Sequence, residues 1–313
     1  MKSYSQLYRK LPQEFVDGIS AEYKDNELDK IFAGFMRERP VTLRVNTLKT
    51  DVRSVMEAFR RDNIKFERVL WYEDALVIRN KREKDLQQTA LYRQGEIYLQ
   101  SLSSMLPTLA LQPQKGWRVL DLTAAPGSKT TQMAAMMQND GYILANELKE
   151  IRAERLKYNI EQQGVSIAQV RVGNGKKLEE QWNGYFNAVL LDAPCSGTGL
   201  FLMNDPRTYR GFTSRNLAQL AREQRKLIDA ALRALKPGGI LVYSTCSIMR
   251  EENEENTAWI LENSGGELLP EGIGLKLAGG GVNYQMSDSQ NTMLIFPSEL
   301  YEGFFVSKFR KIK

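Results

Sequence analysis

The chain has 313 residues, of which 42% are hydrophobic and 26% charged, and a formal net charge of +5. This is the composition of a soluble globular protein with one large domain or two, and the mild basic excess suits a polyanionic partner. The chain contains no histidine and only two cysteines, Cys195 and Cys246, which excludes Ser-His-Asp and Cys-His catalysis and the usual zinc sites. Because no long apolar run and no signal-peptide pattern occurs, we expect a cytoplasmic protein with no membrane role.

The first hundred residues predict a helical start followed by a small α+β module. Apolar residues recur at intervals of four from Leu7 to Ile19, which predicts helical structure up to about residue 36. The predicted strand, helix, strand, strand order over residues 41–47, 51–61, 66–71 and 75–78 is that of an RNA-recognition-like (RRM-like) module. A basic surface on this module is predicted from eight cations: Arg37, Arg39, Arg44, Lys49, Arg60, Arg61, Lys65 and Arg68. The alternative is a solvated face on a packing domain.

The remainder of the chain predicts an α/β fold with a doubly wound parallel sheet. A short strand and a helix are predicted within residues 96–107. Parallel strands are predicted from Val119 and over residues 141–147, 168–172, 188–192 and 240–246, and helices up to about 137 and over 150–163, 217–236 and 253–262. Two strand-like runs, 293–296 and 303–309, close the chain. We therefore expect an N-terminal RNA-binding module in residues 1–100 and a catalytic domain in residues 101–313.

The fourth predicted parallel strand, residues 188–192, leads directly into polar and small residues. Asp192 falls at the carboxyl end of that strand, which is the edge where ligands bind in open α/β sheets. Pro194 stiffens the turn, while Gly197 and Gly199 permit a close approach to a flat substrate. The alternative is an ordinary strand-to-loop exit in which the thiol of residue 195 is a small buried group.

The first βα turn indicates the type of cofactor. Residues 124–127, Ala-Ala-Pro-Gly, lack the G-x-G-x-x-G pattern that binds a pyrophosphate, so the turn suits a nucleoside without phosphate, such as S-adenosylmethionine. Glu147 lies 20 positions after Gly127, the spacing of a carboxylate that binds ribose hydroxyls. Asn174, just past the third strand, is placed to contact the adenine edge.

Three motifs of this sequence resemble the Fmu/Sun/Nop family of RNA cytosine-C5 methyltransferases. They are Asp121–Thr130 (DLTAAPGSKT), Asp192–Gly197 (DAPCSG) and Tyr243–Ser247 (YSTCS). Supporting matches occur at Leu43–Leu48, Gln100–Pro107 and Glu302–Val306, so that the resemblance covers roughly residues 40–309. The form of the motifs is most similar to the bacterial small-subunit ribosomal RNA (RsmF/YebU-like) branch.

The resemblance implies a Rossmann-like methyltransferase that uses S-adenosylmethionine and no metal. In this mechanism the Cys246 thiolate adds to C6 of cytosine, and C5 then accepts the methyl group. The resemblance also implies that Cys195 helps to release the product, that Asp192 binds the N3/N4 edge of the base and that Lys129 assists charge and proton transfer. The cofactor-binding residues expected from the motifs are Ala124, Ala125, Pro126, Gly127, Ser128, Lys129, Thr130, Glu147, Asn174 and Asp192.

The sequence departs from the common family pattern at three positions. Thr123 stands where cysteine is frequent, Ser128 where glycine is frequent and Asn174 where aspartate is usual. The first two are small substitutions, whereas an amide at position 174 loses a charge-assisted hydrogen bond to the adenine. We therefore expect weaker binding of the cofactor than in relatives with aspartate.

Four other interpretations remain open at this stage. The two cysteines can exchange roles, because DNA cytosine methyltransferases attack with a cysteine that follows proline, as Cys195 does. Amino-group methylation would require an aromatic residue at that position. A catalytically inactive RNA-binding assembly factor would keep the fold without the thiols. The expected partner is ribosomal RNA, with transfer RNA as the alternative, and we expect a monomer.

Overall fold

The structure of the protein is a computed structural model that describes residues 9–279 and 281–313. The helices are α1 Gln13–Glu22, α2 Asp25–Phe35, α3 Val52–Arg61, α4 Glu83–Gln87, α5 Ala90–Arg93, α6 Leu102–Leu111, α7 Ser128–Met136, α8 Glu150–Gln162, α9 Ser214–Ala234 and α10 Glu254–Asn263. The strands are β1 Val41–Val45, β2 Phe66–Arg68, β3 Ala75–Ile78, β4 Ile97–Leu99, β5 Arg118–Asp121, β6 Tyr142–Glu147, β7 Ala168–Val172, β8 Phe186–Asp192, β9 Leu235–Thr245, β10 Leu268–Pro270, β11 Tyr284–Met286, β12 Thr292–Ile295 and β13 Phe304–Lys311.

The predicted helical start is confirmed as α1 and α2, while Leu7 lies outside the described residues. The buried side chains of these helices join the core on one face of the large sheet. The Phe15 ring lies 4.8 Å from that of Phe201, and the Tyr23 hydroxyl donates to the Ile248 carbonyl at 2.5 Å. The helices therefore pack beside the segment that follows Cys246, and they contribute to the same core as the catalytic fold.

The α+β module forms a four-stranded antiparallel sheet in the order β2-β3-β1-β4, which is the strand order of an RRM-like module. Successive side chains of a strand point to opposite faces, so the sheet has two different surfaces. Leu43 and Leu76 pack with Val55 and Phe59 of α3, whereas Val77 packs in the core on the opposite face. Both faces of the small sheet are thus covered.

The prediction that Arg44 contributes to a basic surface is wrong. Its side chain alternates with Leu43 along β1, faces the catalytic fold and is only 1% exposed. The guanidinium donates to the Gln100 Oε1 at 3.3 Å and to the Thr131 Oγ1, on α7, at 3.1 Å. A buried arginine is retained only with such partners, so Arg44 joins the module to the catalytic fold.

The large sheet has the order β11-β12-β13-β9-β8-β5-β6-β7, and β10 pairs with β13. The five strands β5 to β9 run parallel, while β13 lies antiparallel beside β9. This confirms the predicted Rossmann-like sheet. The carboxyl ends of β5, β8 and β9 meet at its centre, where the candidate site lies.

The predicted end of α9 at residue 236 is wrong. The helix ends at Ala234, and β9 already begins at Leu235. Phe186 pairs with Leu235, but Ala188 pairs with Ile240, so β9 contains extra residues that bulge around the proline. Within residues 9–279 and 281–313, no helix combines the length and apolarity needed to cross a membrane.

Candidate active site

A cavity of about 1270 Å³ opens at the carboxyl ends of the central strands. At its inner end it is lined by residues from the first βα turn, by Asp192 and by Cys246. The lining residues from that turn are Asp121, Thr123, Ala124, Ala125, Pro126, Ser128 and Lys129. The structure therefore brings most of the first motif, Asp192 of the second and Cys246 of the third onto one cavity.

The two cysteines lie side by side, because β8 and β9 are parallel neighbours and Asp192 pairs with Ser244. The Sγ atoms of Cys195 and Cys246 are 3.0 Å apart, and both residues are half-buried. The hydrogen bond to Cys246, together with burial, raises the pKa of the Cys195 thiol well above its usual range. The Cys195 thiol therefore keeps its proton at neutral pH, within hydrogen-bond distance of the Cys246 sulfur.

Asp192 is held by two donors. The ammonium of Lys129 lies 2.7 Å from Oδ2, and the Ser244 hydroxyl donates to Oδ1 at 2.8 Å. Lys129 is 7% exposed and also donates to the Ser104 hydroxyl at 2.7 Å, so its position is fixed on two sides. A lysine this buried requires an ion pair, which indicates a specific role and argues against a solvated residue that merely opens a helix.

The turn before α7 positions a second buried carboxylate. The Thr130 hydroxyl donates to Asp121 Oδ2 at 2.6 Å, while Asp121 Oδ1 is buried and has no hydrogen-bond partner among the described residues. Burial raises the pKa of Asp121 to about 6. Gly127, with a φ of +108°, adopts a left-handed conformation that favours glycine, and an added Cβ would lie 3.0 Å from Leu156. An orphaned acceptor beside this turn suits a ligand that carries donors.

The structure places Glu147 and Asn174 on the neighbouring strand ends, outside the residues that line the cavity. Glu147 is 3% exposed and accepts from the Lys149 backbone N–H at 3.0 Å, with the Arg152 Nη1 atom at 3.6 Å. Asn174 uses its Oδ1 to accept from the Lys176 N–H at 3.0 Å. Both side chains are positioned by local contacts, and their predicted contacts with ribose and adenine remain predictions.

Glu252 is a residue of this site that the sequence did not reveal. It is fully buried and accepts from the Ser196 N–H at 2.9 Å, from the Ser196 hydroxyl at 2.6 Å and from the Gln224 Nε2 at 2.9 Å. Gln224 also donates to the Pro194 carbonyl at 2.9 Å. Glu252 and Gln224 together thus fix the backbone on both sides of Cys195. An acid six residues after Cys246, between polar neighbours, gave no local signal of burial.

Two glycines allow the loops around the cysteines to pack closely. The Gly199 N–H donates to the Cys246 carbonyl at 3.0 Å, and the Gly303 N–H donates to the Gly199 carbonyl at 2.9 Å. A Cβ on Gly199 would lie 2.0 Å from the Gly303 carbonyl oxygen, so no other residue fits there. Gly199 was predicted to allow a close approach to a flat substrate, whereas the close contact that the structure shows is with Gly303 of the protein itself.

The parallel sheet, the small-residue turn and the acidic and thiol groups at its carboxyl edge define the class: a Rossmann-like methyltransferase fold. Residues 108–310 match the family described as 16S rRNA methyltransferase RsmB/F, and residues 11–102 match the N-terminal domain of 16S rRNA methyltransferase RsmF. The chain belongs to the RsmB/F methyltransferase family.

Individual relatives agree with this assignment. Ribosomal RNA small subunit methyltransferase F of Cronobacter sakazakii is 37% identical over 308 residues, which cover 96% of this chain and 63% of the relative. The protein of the same name from Escherichia coli O81 is 38% identical over 294 residues, which cover 90% of this chain and 59% of the relative. This chain therefore spans about three fifths of the length of these relatives.

Solved structures confirm the fold. A methyltransferase homolog protein from Pyrococcus horikoshii is 30% identical, with a TM-score of 0.75, over 100% of this chain and 95% of that one. NSun6 from Pyrococcus horikoshii, crystallised with SFG, has a TM-score of 0.85 over 98% of this chain and 100% of that one. Because its sequence identity is 21%, this second match supports the fold alone.

Proposed function

We propose that this chain methylates C5 of a cytosine in RNA, with S-adenosylmethionine as the methyl donor and small-subunit ribosomal RNA as the substrate, in the cytoplasm. The observation that carries this proposal is the pair of cysteine sulfurs 3.0 Å apart at the ends of adjacent strands, with Cys246 on the cavity that Asp192 also lines. Family membership supports the reaction, and the names of the relatives support the substrate. Amino-group methylation would not require two thiols, and neither would an inactive assembly factor.

The residues at the inner end of the cavity fit the proposed methyl donor. The unpartnered Oδ1 of Asp121 can accept from the amino group or a hydroxyl of a nucleoside-linked amino acid, and the Ala124–Gly127 turn provides room for a flat base and sugar. Glu147 and Asn174 would bind the ribose and the adenine. When bound, S-adenosylmethionine supplies an electrophilic methyl group.

In the proposed reaction the Cys246 sulfur adds to C6 of a cytosine that has left its stack and entered the cavity. The new C6–S bond replaces the C5=C6 double bond and makes C5 nucleophilic. Once C5 carries the methyl group, loss of its proton to solvent restores the double bond and breaks the C6–S bond. Cys195, whose raised pKa keeps it protonated, donates a hydrogen bond to the departing sulfur.

Asp192 and Lys129 would hold the base during these steps. Each carboxylate oxygen of Asp192 already accepts one hydrogen bond and has a further lone pair for the cytosine N4 amino group. Lys129 keeps this carboxylate oriented and provides a positive charge as electrons move toward the ring. We also propose residues 1–100 as the RNA-binding part and residues 101–313 as the catalytic part, a division supported by the two separate sheets.

Bisulfite sequencing of total RNA from cells with and without the gene tests this function. We expect one or more cytosines of small-subunit ribosomal RNA to lose protection when the gene is deleted, and the wild-type gene to restore it. A Cys246→Ser gene should fail to restore it. If only transfer RNA loses protection from bisulfite, transfer RNA is the substrate instead of ribosomal RNA. If no RNA changes, the proposed activity is refuted.

A further inference from the structure

The cavity does not end at the catalytic residues. Its volume of about 1270 Å³ exceeds the roughly 300–1,000 Å³ of a typical small-molecule site, and it continues to the N-terminal module. There it is lined by five cations: Arg39, Arg79, Lys81, Arg82 and Lys84. We call these five residues the cationic rim. The cavity therefore has space for the methyl donor and one base, with further space left over.

The usual binding surface of an RRM-like module is not accessible in this protein. Such modules stack bases on aromatic side chains on the open face of the sheet. Here that face is packed against the catalytic fold, with Arg44 bonded to Thr131 and Val77 in the shared core. The opposite face is covered by Val55 and Phe59 of α3. Apart from the strand residues that line the cavity, such as Thr42 and Tyr98, the edges and loops of the module are left for nucleic acid.

The charges of the cationic rim are largely available for a ligand. Lys81 and Lys84 make no ion pair within the part of the chain that the structure describes, and the Arg82 side chain is 90% exposed, 3.8 Å from Asp85. The Nη2 atom of Arg39 is buried without a hydrogen-bond partner among those residues. Arg79, in contrast, is paired with Glu67 at 2.6 Å. Among the described residues, the carboxylates that line the cavity near the rim are Glu83 and Glu302.

We propose that the segment of residues 79–84, which includes the start of α4, together with Arg39, binds the phosphates of the unpaired nucleotides that flank the methylated cytosine. A base that has left its stack draws its neighbouring phosphates toward the mouth of the cavity, where the rim lies. This proposal rests on the proposed function, because it requires an RNA substrate. It assigns RNA binding to a different surface from α3 and β2, which carry Arg60, Arg61, Lys65 and Arg68.

Three triple variants test this assignment, each removing three positive charges. The rim variant is Lys81→Ala/Arg82→Ala/Lys84→Ala, and the rival variant is Arg61→Ala/Lys65→Ala/Arg68→Ala. The matched control, Arg53→Ala/Arg93→Ala/Lys115→Ala, removes exposed cations that do not line the cavity. The probe is unmodified 16S ribosomal RNA transcribed in vitro, and the measurements are the Kd at several salt concentrations and methyl incorporation.

For the rim variant we expect the Kd for RNA at low salt to rise at least about tenfold. The slope of log Kd against log salt should become shallower by about 2, because each of the three lost contacts with a single-strand phosphate contributes about 0.7 to that slope. The kcat at saturating RNA and the Kd for S-adenosylmethionine should stay within about twofold of wild type. The control should behave as wild type.

An unchanged Kd in the rim variant, or an equal loss in the control, would overturn the assignment, and so would a loss confined to the rival variant. Methyl incorporation separates this result from the proposed function. Wild-type protein that binds the RNA through the rim but transfers no methyl group to any RNA, including subunits from cells lacking the gene, would refute the function and leave the binding surface standing.

Discussion

The two segments that carry the cysteines each follow a parallel strand of the large sheet, but different parts of the protein hold them in place. Residues 193–199 follow β8, and residues 246–253 follow its parallel neighbour β9. The Cys195 segment is held from within the catalytic fold, by Glu252 and Gln224. The Cys246 segment is also held by helix α1 and the residue after it, because Tyr23 donates to the Ile248 carbonyl and Glu22 accepts from the Arg250 N–H at 3.2 Å.

The surroundings of the two sulfurs differ in the same way. Cys246 faces the cavity, whereas Cys195 is not among the described residues that line it. The Cys195 thiol has a raised pKa and therefore retains its proton. The comparison shows how two thiols in hydrogen-bond contact can have different proposed roles. One is the nucleophile that attacks the substrate, and the other is the protonated group beside it.

The largest expected effect is that of Cys246→Ser, which removes the proposed nucleophile. We expect turnover to fall by at least about 10⁴-fold, because a serine hydroxyl is almost entirely protonated at neutral pH. RNA containing 5-fluorocytosine should form a stable adduct with wild-type protein, seen as a band shift on a denaturing gel, and no adduct with the variant. An adduct that survives Cys246→Ser would reverse the roles of the two cysteines.

Cys195→Ala should separate bond formation from release. We expect the adduct with ordinary cytosine RNA to accumulate, because alanine has no hydrogen-bond donor for the departing sulfur, and multiple turnover to fall by about 10²-fold or more. Single-turnover methyl transfer should remain measurable. If the variant forms no adduct even with 5-fluorocytosine RNA, the proposed division between the thiols is wrong.

Glu252→Gln should weaken the support of the Cys195 segment. The amide keeps the volume but presents a donor to the donors of Ser196 and Gln224, so we expect the free energy of unfolding to fall by about 1–3 kcal/mol. Product release should slow while adduct formation persists. Glu255→Gln, at an exposed position on α10, is the matched control, and an equal change in that variant would remove the specific role of Glu252.

The free energy of unfolding should depend on pH through Glu22, which accepts a hydrogen bond from the Cys246 segment. Burial and the nearby Glu251 raise the pKa of Glu22 from 4.5 to about 8. Between these two values the folded protein retains a proton that the unfolded chain has lost, so the free energy of unfolding falls as the pH rises. Glu22→Gln should therefore reduce the pH-dependent fall in the free energy of unfolding by about 1–2 kcal/mol, a figure that allows for the partial exposure of Glu22. Urea unfolding at a series of pH values between 4.5 and about 8 measures it. Parallel pH profiles of wild type and variant would contradict it.

The smallest effect is expected at a position outside both segments. Asn174→Asp adds a charge-assisted hydrogen bond to the proposed adenine contact, and we expect about a fivefold lower Kd for S-adenosylmethionine, measured by calorimetry. Adduct formation by Cys246 should not change. An unchanged Kd would remove Asn174 from the proposed cofactor site.

The sequence predicted the sheet because buried parallel strands are continuous apolar runs that end in polar residues. Strand β7 has the predicted bounds, and β8 begins two residues earlier than predicted. The burial of Arg44 and Glu252 was missed because both side chains are satisfied by partners distant in sequence, and such pairing leaves no local pattern. The cationic rim was missed for the same reason, since only the fold brings the segment of residues 79–84 onto the cavity of Cys246.

The antiparallel strand β13 fills the position beside β9 and pairs with it from Ile240 to Thr245. Until residues 304–311 have left the ribosome, β9 is therefore an edge strand with unpaired backbone groups, open to association with other nascent chains. The strand that leads to Cys246 therefore reaches its final place only after residues 304–311 have been synthesised. Completion of the candidate site thus depends on a strand from a later part of the chain.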